Sequence, residues 1–327
     1  MNDRVSIAIP SYNHDKYIDR AVKSCLRQTR RAHEILIIDD CSTDETLKRA
    51  RSFEEEGVRV LSNSRNLGLC GNWNRCIEES RGDYLLILHS DDWLAEDAIE
   101  TLIYVARHEP DAGLVILGGE KSNNESGFLA TPDQSFIFFP KGYESFKFFL
   151  SRSAYCSSLA VRREVYEKEG LFDRAYEYFP DEEMKFRVAK KYAVANCVYP
   201  KVGVRKDGWH TYLKTWLRDE FWKDWVDLHK ERLVSYLNEI AGLNLAQEQE
   251  LLRLIQKRLE VTATYIAREL IRRGYVRSGR LYLQQLADLK QYKSSKDRLL
   301  LLTSYVPNRW MVEKILDSRL VIERRGD

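Results

Sequence analysis

Two pairs of adjacent carboxylates hold the most suggestive chemistry in this sequence. Asp39-Asp40 follows the apolar run Glu34–Ile38, and Asp91-Asp92 ends His89-Ser90-Asp91-Asp92 after Tyr84–Leu88. Each run is short and rich in Ile and Leu, the pattern of a strand buried on both faces. One Asp-Asp is ordinary in a solvated turn. Two of them at strand ends on one rim make a cluster of hard oxygen ligands suited to Mg2+ or Mn2+, ions that usually work with phosphates. A third acidic run, Asp181-Glu182-Glu183, opens a helical pattern over Asp181–Lys191. A carboxylate there can cap the helix or serve as a base. The first strand ends in Pro10-Ser11-Tyr12-Asn13 without G-x-G-x-x-G, which argues against a dinucleotide held by a glycine turn.

The elements that must position these groups are legible as a period. Val5–Ile9, Glu34–Ile38, Val58–Leu61, Tyr84–Leu88 and Gly113–Leu117 read as strands, separated by stretches with apolar residues at helical spacing. Alternation at this short period predicts a parallel, doubly wound α/β sheet, whose ligands sit beyond the carboxyl ends of the strands. Lys121–Gln134 reads as a loop, Ser135–Phe139 as a strand and Tyr143–Leu150 as a helix. After Gly208 the strand signals nearly vanish. Leu251, Ile255, Leu259, Ala263, Ile266 and Leu270 form a 3.6-period stripe, so an all-helical unit is expected. The expected division is residues 1–210 as the α/β domain and 211–327 as the helical one.

Composition narrows the class. With 327 residues, 44% hydrophobic and 31% charged, the chain is an ordinary globular protein rather than a collagen-like, coiled-coil-only or disordered one. Six scattered cysteines with no C-x-x-C suggest neither a structural zinc site nor a redox pair, and fit a reducing cytosol. No run approaches a membrane span, and the N-terminus lacks the long apolar region of a signal peptide, so a cytoplasmic protein is expected. Charge is uneven: residues 251–327 carry 17 Lys and Arg against 8 Asp and Glu. Arg253, Lys257, Arg258, Arg268, Arg272, Arg273, Arg277 and Arg280 make a basic surface on amphipathic helices. A solvated face is one reading and attraction to an anionic membrane is the other. No DNA- or RNA-reading module is present, so nucleic acid is not an expected partner.

Four stretches in order resemble family 2 glycosyltransferases of the GT-A fold: VSIAIPSYN with Tyr17, EILIIDDCSTDET, SRNLGLCGNWNRCIEESRGDYLLILHSDDW, and GLFDRAYEYFPDEEMKFRVAKKY. The resemblance covers most of residues 4–210. It implies a GT-A nucleotide-diphospho-sugar transferase sheet, Rossmann-like and mainly parallel, with the helical unit appended. It implies that Pro10, Tyr12 and Asn13 line the nucleotide pocket and that Asp40 accepts a hydrogen bond from a base ring N–H, which favours UDP or dTDP. Asn66, Gly68 and Asn74 match the loop and helix near the diphosphate. Asp91 matches a ribose or metal contact, and Asp92 a direct ligand of Mn2+ or Mg2+. His89 stands where many members have the first acid, which leaves its ligation open. Asp207 or His210 is a further ligand by position, and Arg205 or Lys206 a phosphate contact.

Asp181 matches the catalytic base, with Glu182 in reserve because Pro180 replaces the usual preceding Glu. The implied reaction is one inverting displacement on a nucleotide-diphosphate sugar by a hydroxyl of a glycan or lipid-linked glycan, in cell-surface polysaccharide synthesis. Without membrane spans or a Q-x-x-R-W sequence, transfer of one or a few sugars is expected. Trp209, Trp216, Trp222 and Trp225 read equally as sugar-packing aromatics or as core between domains. The alternatives are a decayed nucleotide-sugar-binding or scaffolding protein, and a nucleotidyltransferase.

Overall fold

A computed structural model of the chain describes residues 4–122, 133–206 and 215–288. Its strands are β1 (Val5–Ser11), β2 (Glu34–Asp39), β3 (Arg59–Ser62), β4 (Tyr84–Ile87), β5 (Trp93–Leu94), β6 (Ala112–Ile116), β7 (Gly119–Ser122), β8 (Phe136–Phe139), β9 (Leu159–Arg162), β10 (Ala193–Cys197) and β11 (Val202–Arg205). Eight of them form one sheet in the order β3-β2-β1-β4-β9-β6-β10-β8, and β5-β11-β7 form a second. Strands β1 to β4 are parallel, β6 and β10 run with them, and β9 and β8 run against them. The period predicted a parallel α/β sheet, and the sheet is mainly parallel, as the resemblance implied. The inserted antiparallel β9 was not foreseen. Its four residues, Leu-Ala-Val-Arg, are too few to separate a strand from a turn of helix by pattern.

Helices α1 (Ile18–Leu26), α2 (Thr46–Arg51), α3 (Gly68–Glu79), α4 (Ala98–His108), α5 (Tyr143–Ser151), α6 (Arg163–Glu169) and α7 (Pro180–Ala189) return the chain between strands. β1 is buried on both faces. Val5, Ile7 and Ile9 join a cluster with Ile18, Ala21, Val22 and Cys25 of α1 and Ile99, Leu102 and Ile103 of α4. Ala8 between them is equally buried, as are Cys70, Trp73 and Cys76 of α3. Each large apolar side chain so buried contributes about 1.5–3 kcal/mol, which fixes the register. In the small sheet a Cβ on Gly203 would fall 2.1 Å from Trp93 Cε2, so only glycine lets β11 pass over that indole.

The described chain divides into two compact units. Among the described residues, the first holds 4–122 and 133–206 and takes back residues 235–248; the second holds 215–234 and 249–288. The returning segment is held chemically: Tyr236 donates its hydroxyl hydrogen bond to buried Glu183, and Lys190 pairs with Glu239 at 2.6 Å. The chain beyond residue 215 is helical where described, with α8 (Asp219–Asp227), α9 (Leu233–Leu237), α10 (Leu245–Arg272) and α11 (Val276–Asp288); α8, α11 and α10 from residue 249 on belong to the second unit, and most of α9 to the returning segment. α10 buries the stripe Leu251, Ile255, Leu259, Ala263, Ile266 and Leu270. Trp222 and Trp225 are buried, and the Trp222 ring meets Tyr282 edge-on at 5.3 Å. Those two tryptophans therefore serve this unit's core. Trp209, Asp207 and His210 lie outside the described residues.

Candidate active site

The end of β4 carries the site's charge. Asp92 is 3% exposed. Its Oδ2 accepts from Ser157 Oγ at 2.5 Å and its Oδ1 from the Arg205 backbone N–H at 2.9 Å. Ser157 also accepts the His89 N–H at 3.1 Å, so one hydroxyl locks the start and the end of the His89–Asp92 turn. Asp91 Oδ2 receives both Nε (2.9 Å) and Nη2 (2.8 Å) of Arg205. The Arg205 guanidinium lies over the Tyr17 ring at 4.4 Å. Arg20 donates to the Asp91 carbonyl at 2.7 Å and covers the Trp93 ring at 4.0 Å. His14 Nδ1 bonds Ser90 Oγ at 2.7 Å, and His89 stacks on Trp73 at 5.2 Å.

Electrostatics separates the two neighbours. Burial pushes the Asp92 carboxyl above its usual range, with Asp91 adding to the push, against the pull of His89 and the Ser157 hydroxyl. Burial pushes Asp91 upward too, but His89, His14 and Arg205 outweigh it and hold the group below the ordinary carboxylate value. Burial lowers the His14 pKa. His89, Asp91 and Asp92 each offer a ligand atom, all within 4.8 Å of one another, and His89 Nε2 is a buried nitrogen without a hydrogen-bond partner among the described residues. Two carboxylates and an imidazole suit a divalent cation such as Mn2+ or Mg2+, so these residues fit one.

The ends of β1 and β2 form the neighbouring wall. The loops that follow them clasp each other: the Asn13 N–H donates to Ser42 Oγ at 2.9 Å and Asn13 Oδ1 accepts the Thr43 N–H at 2.8 Å. Both loops need left-handed backbone at non-glycine residues, Asn13 (φ 53°) and Cys41 (φ 63°), a conformation that asparagine tolerates best. Pro10 is buried opposite Ile38, while Tyr12 is 47% exposed.

Asp40 is 3% exposed and already engaged. Its Oδ1 accepts from Asn63 Nδ2 (2.6 Å) and the Leu67 N–H (2.8 Å), and its Oδ2 from the Gly68 N–H (3.1 Å). A base N–H at Asp40 would share the carboxylate with these three donors. Asn66 bridges the Asp40 carbonyl and the Gly68 N–H. Gly68 has φ 76°, and a Cβ there would lie 2.7 Å from Glu177 Oε1, so the turn requires glycine. Asn74 is placed differently. Its carboxamide pairs with the backbone of Phe172 in both directions, at 3.0 and 2.9 Å.

Asp181 and Glu182 stand at the start of α7, and Lys185 brings them together. Its amine, on a side chain 1% exposed, reaches Asp181 Oδ2 at 3.2 Å, Glu182 Oε1 at 2.8 Å and the Ala154 carbonyl at 3.1 Å. The helix follows Phe179 with no side-chain cap, so capping does not account for Asp181. The turn Ala154–Ser158 links the two acidic groups, since Ala154 meets Lys185 and Ser157 meets Asp92. Cys156 between them is raised well above a free thiol by burial, then by the Asp181 and Asp92 charges. Sequence reasoning missed Ser157, His14 and Lys185. Only Lys185 left a signal, its i,i+4 spacing from Asp181.

A family model described as glycosyl transferase family 2 matches residues 6–170. GlyG, a glycosyltransferase of Streptococcus pneumoniae, is 34% identical over 146 residues, 44% of this chain and 46% of GlyG. The chain spans less than half the length of the first curated relatives it matches. Staphylococcus aureus TarS 1-349 in complex with UDP-GlcNAc superposes with TM-score 0.64 at 16% identity, over 92% of this chain and 87% of that one. The Pyrobaculum calidifontis mannosyltransferase PcManGT, in complex with GDP-Man and Mn2+, gives 0.51 at 16% identity, over 95% and 86%. At these identities the two structures show a shared fold, and the family assignment rests on the match across half the sequence: the chain belongs to glycosyl transferase family 2.

Proposed function

We propose that the chain is an inverting glycosyltransferase that moves a sugar from a UDP- or dTDP-sugar to a hydroxyl of a glycan or lipid-linked glycan during cell-surface polysaccharide synthesis. The observation that carries the reading is the built acidic end of β4, where Ser157 and Arg205 hold Asp91 and Asp92 at the sheet's ligand-binding rim. Family membership supplies the transferase class. The relatives favour surface glycans, TarS being a poly(ribitol-phosphate) beta-N-acetylglucosaminyltransferase by name.

Each part of the chemistry falls to particular residues. Pro10, Tyr12 and Asn13 offer the wall for the base. Asp40, with Asn66 and Gly68, shapes the loop ahead of α3. His89, Asp91 and Asp92 would hold Mn2+ or Mg2+, and the cation would supply positive charge against the departing diphosphate. Asp181 takes the proton from the attacking hydroxyl, and Lys185 fixes its carboxylate in place. Among the described residues no helix is long and apolar enough to cross a membrane. We assign the protein to the cytoplasmic face of the plasma membrane, held there by its basic helices.

The test is Asp181→Asn beside Glu182→Gln. Loss of the base should lower kcat by about 10^2–10^4 while the nucleotide Kd stays nearly unchanged, because the proton is transferred only in the transition state. If Glu182→Gln is the inactive variant and Asp181→Asn turns over normally, the base is Glu182. If both variants work, α7 is not the base segment.

A further inference from the structure

The carboxyl rim of the main sheet carries a second hollow beyond β4. β10 runs parallel to β6, and both β4 and β6 run against β9, so the last residues of β6 and β10, Ile116 and Cys197, lie on the rim where such sheets bind ligands. They help to line a cavity of about 320 Å3, within the range of about 300–1,000 Å3 common for small-molecule sites. Phe148 of α5 and Tyr155 supply its aromatic walls. A Cβ on Gly119 of β7 would fall 2.5 Å from Tyr155 Cδ2, so glycine is what lets that ring lie against the strand.

The turn that carries Tyr155 also borders the reacting groups. Its Ala154 carbonyl accepts from Lys185, which holds Asp181, and its Ser157 hydroxyl donates to Asp92. Burial raises the Tyr155 pKa and the Asp92 charge adds to it, which places the phenol within the field of that carboxylate. Arg152 and Glu120 also line the cavity; both are exposed, and neither side chain has a partner among the described residues. Asn196, partly buried, donates to the Cys197 carbonyl at 3.2 Å.

These groups select a ligand by chemistry. A guanidinium only donates hydrogen bonds, a carboxylate only accepts them, and a carboxamide does both. Sugar hydroxyls answer all three, while the C–H face of the ring suits Phe148 and Tyr155. The opposite charges of Arg152 and Glu120 leave no net attraction for an anion, and an apolar ligand would draw polar groups out of water without pairing them. We propose that this cavity binds an uncharged sugar unit of the acceptor, with Tyr155 as its platform and Arg152, Glu120 and Asn196 as partners of its hydroxyls. The proposal rests on the transferase reading and narrows it: a neutral glycosyl unit, not a uronate or a phosphate, lies beside the attacking hydroxyl.

Saturation-transfer NMR on the full chain, with Mg2+ and UDP present, tests it with methyl glycosides of glucose, galactose, N-acetylglucosamine and glucuronic acid as probes. At least one neutral glycoside should bind, and the glucuronide more weakly. Tyr155→Ala should weaken the neutral probe about tenfold, as should Glu120→Gln, the scale of one lost charge-assisted hydrogen bond. Glu120→Gln should also move the preference toward the glucuronide, a change of ratio that a merely structural Glu120 would not produce. Melting temperatures show whether each variant is folded, and the exposed Glu120→Gln carries the comparison if Tyr155→Ala is not. A glucuronide preferred by the unaltered protein, a ratio unmoved by Glu120→Gln, or no neutral glycoside bound while UDP binds normally would overturn the proposal. Failure of UDP itself to bind would instead count against the transferase reading, which separates the two failures.

Discussion

Asn74 shows how one residue type serves two roles that a motif cannot separate. The resemblance places it beside a diphosphate, yet its side-chain oxygen and nitrogen both bond the backbone of Phe172, which is 6% exposed. Asn74→Ala would leave the buried Phe172 N–H without its partner and its carbonyl with only the Cys70 thiol at 3.5 Å, at a cost of about 1–3 kcal/mol. We expect a lower melting temperature and a nucleotide affinity, in the folded fraction, close to that of the unaltered protein. Normal stability with lost nucleotide binding would make Asn74 a direct contact instead. Asp91 and Asp92 were legible because their types and strand-end position limit their chemistry. Ser157 was not, since a serine in a turn of three residues carries no spacing signal, and its role exists only because β9 enters the sheet beside β4.

At the scale of elements, the parallel strands β1 to β4 and β6 announced themselves through apolar runs of four to seven residues, while β5, β7, β9, β11 and the parallel β10 did not. β5 has two residues and β7 is Gly-Glu-Lys-Ser, so neither has a period to read. Yet β11 delivers Arg205 to both aspartates. The sheet's opposite end depends on a charge pair: Arg4, just ahead of β1, donates to Asp83, just ahead of β4, from its backbone N–H, Nε and Nη2. The Arg4 hydrogen bond holds the Asp83 carboxyl below its usual value. A depressed carboxylate stabilises the fold above its unfolded pKa, and the contribution is lost as pH falls through the folded one. With the pair partly exposed, the effect should be modest. Asp83→Asn should lower the melting temperature near about pH 7, and the difference should shrink as pH drops below about 4. A difference that persists in full at about pH 2 would assign the loss to the neutral hydrogen bonds rather than to charge.

For the molecule as a whole, the uneven charge is the feature that no single site explains. Along α10 the exposed residues Arg253, Lys257, Val261 and Tyr265 fall in one i,i+4 row, mixing cations with apolar side chains in the manner of a helix lying on a membrane surface. The row could be read from sequence once the helix was placed, whereas the exposure of Val261 (58%) and Tyr265 (54%) could not. Sedimentation with vesicles of anionic phospholipid should be strong at about 0.01 M salt. It should weaken toward about 0.15 M, as the screening length falls from roughly 30 to 8 Å. Arg253→Gln with Lys257→Gln should reduce the bound fraction, and equal pelleting with uncharged vesicles would remove the electrostatic explanation.

The central claim, that this chain cleaves a nucleotide-diphosphate sugar at the anomeric carbon, is tested most directly by product identity. Purified protein with Mn2+ is incubated with UDP-, dTDP- and GDP-sugars, with water as the default acceptor, and the nucleotide products are identified by mass spectrometry. The account predicts slow release of a nucleoside diphosphate from a UDP- or dTDP-sugar, suppressed by Asp92→Ala or by chelation of the metal. Inert donors with a fully folded protein, or a nucleoside monophosphate in place of the diphosphate, would contradict it.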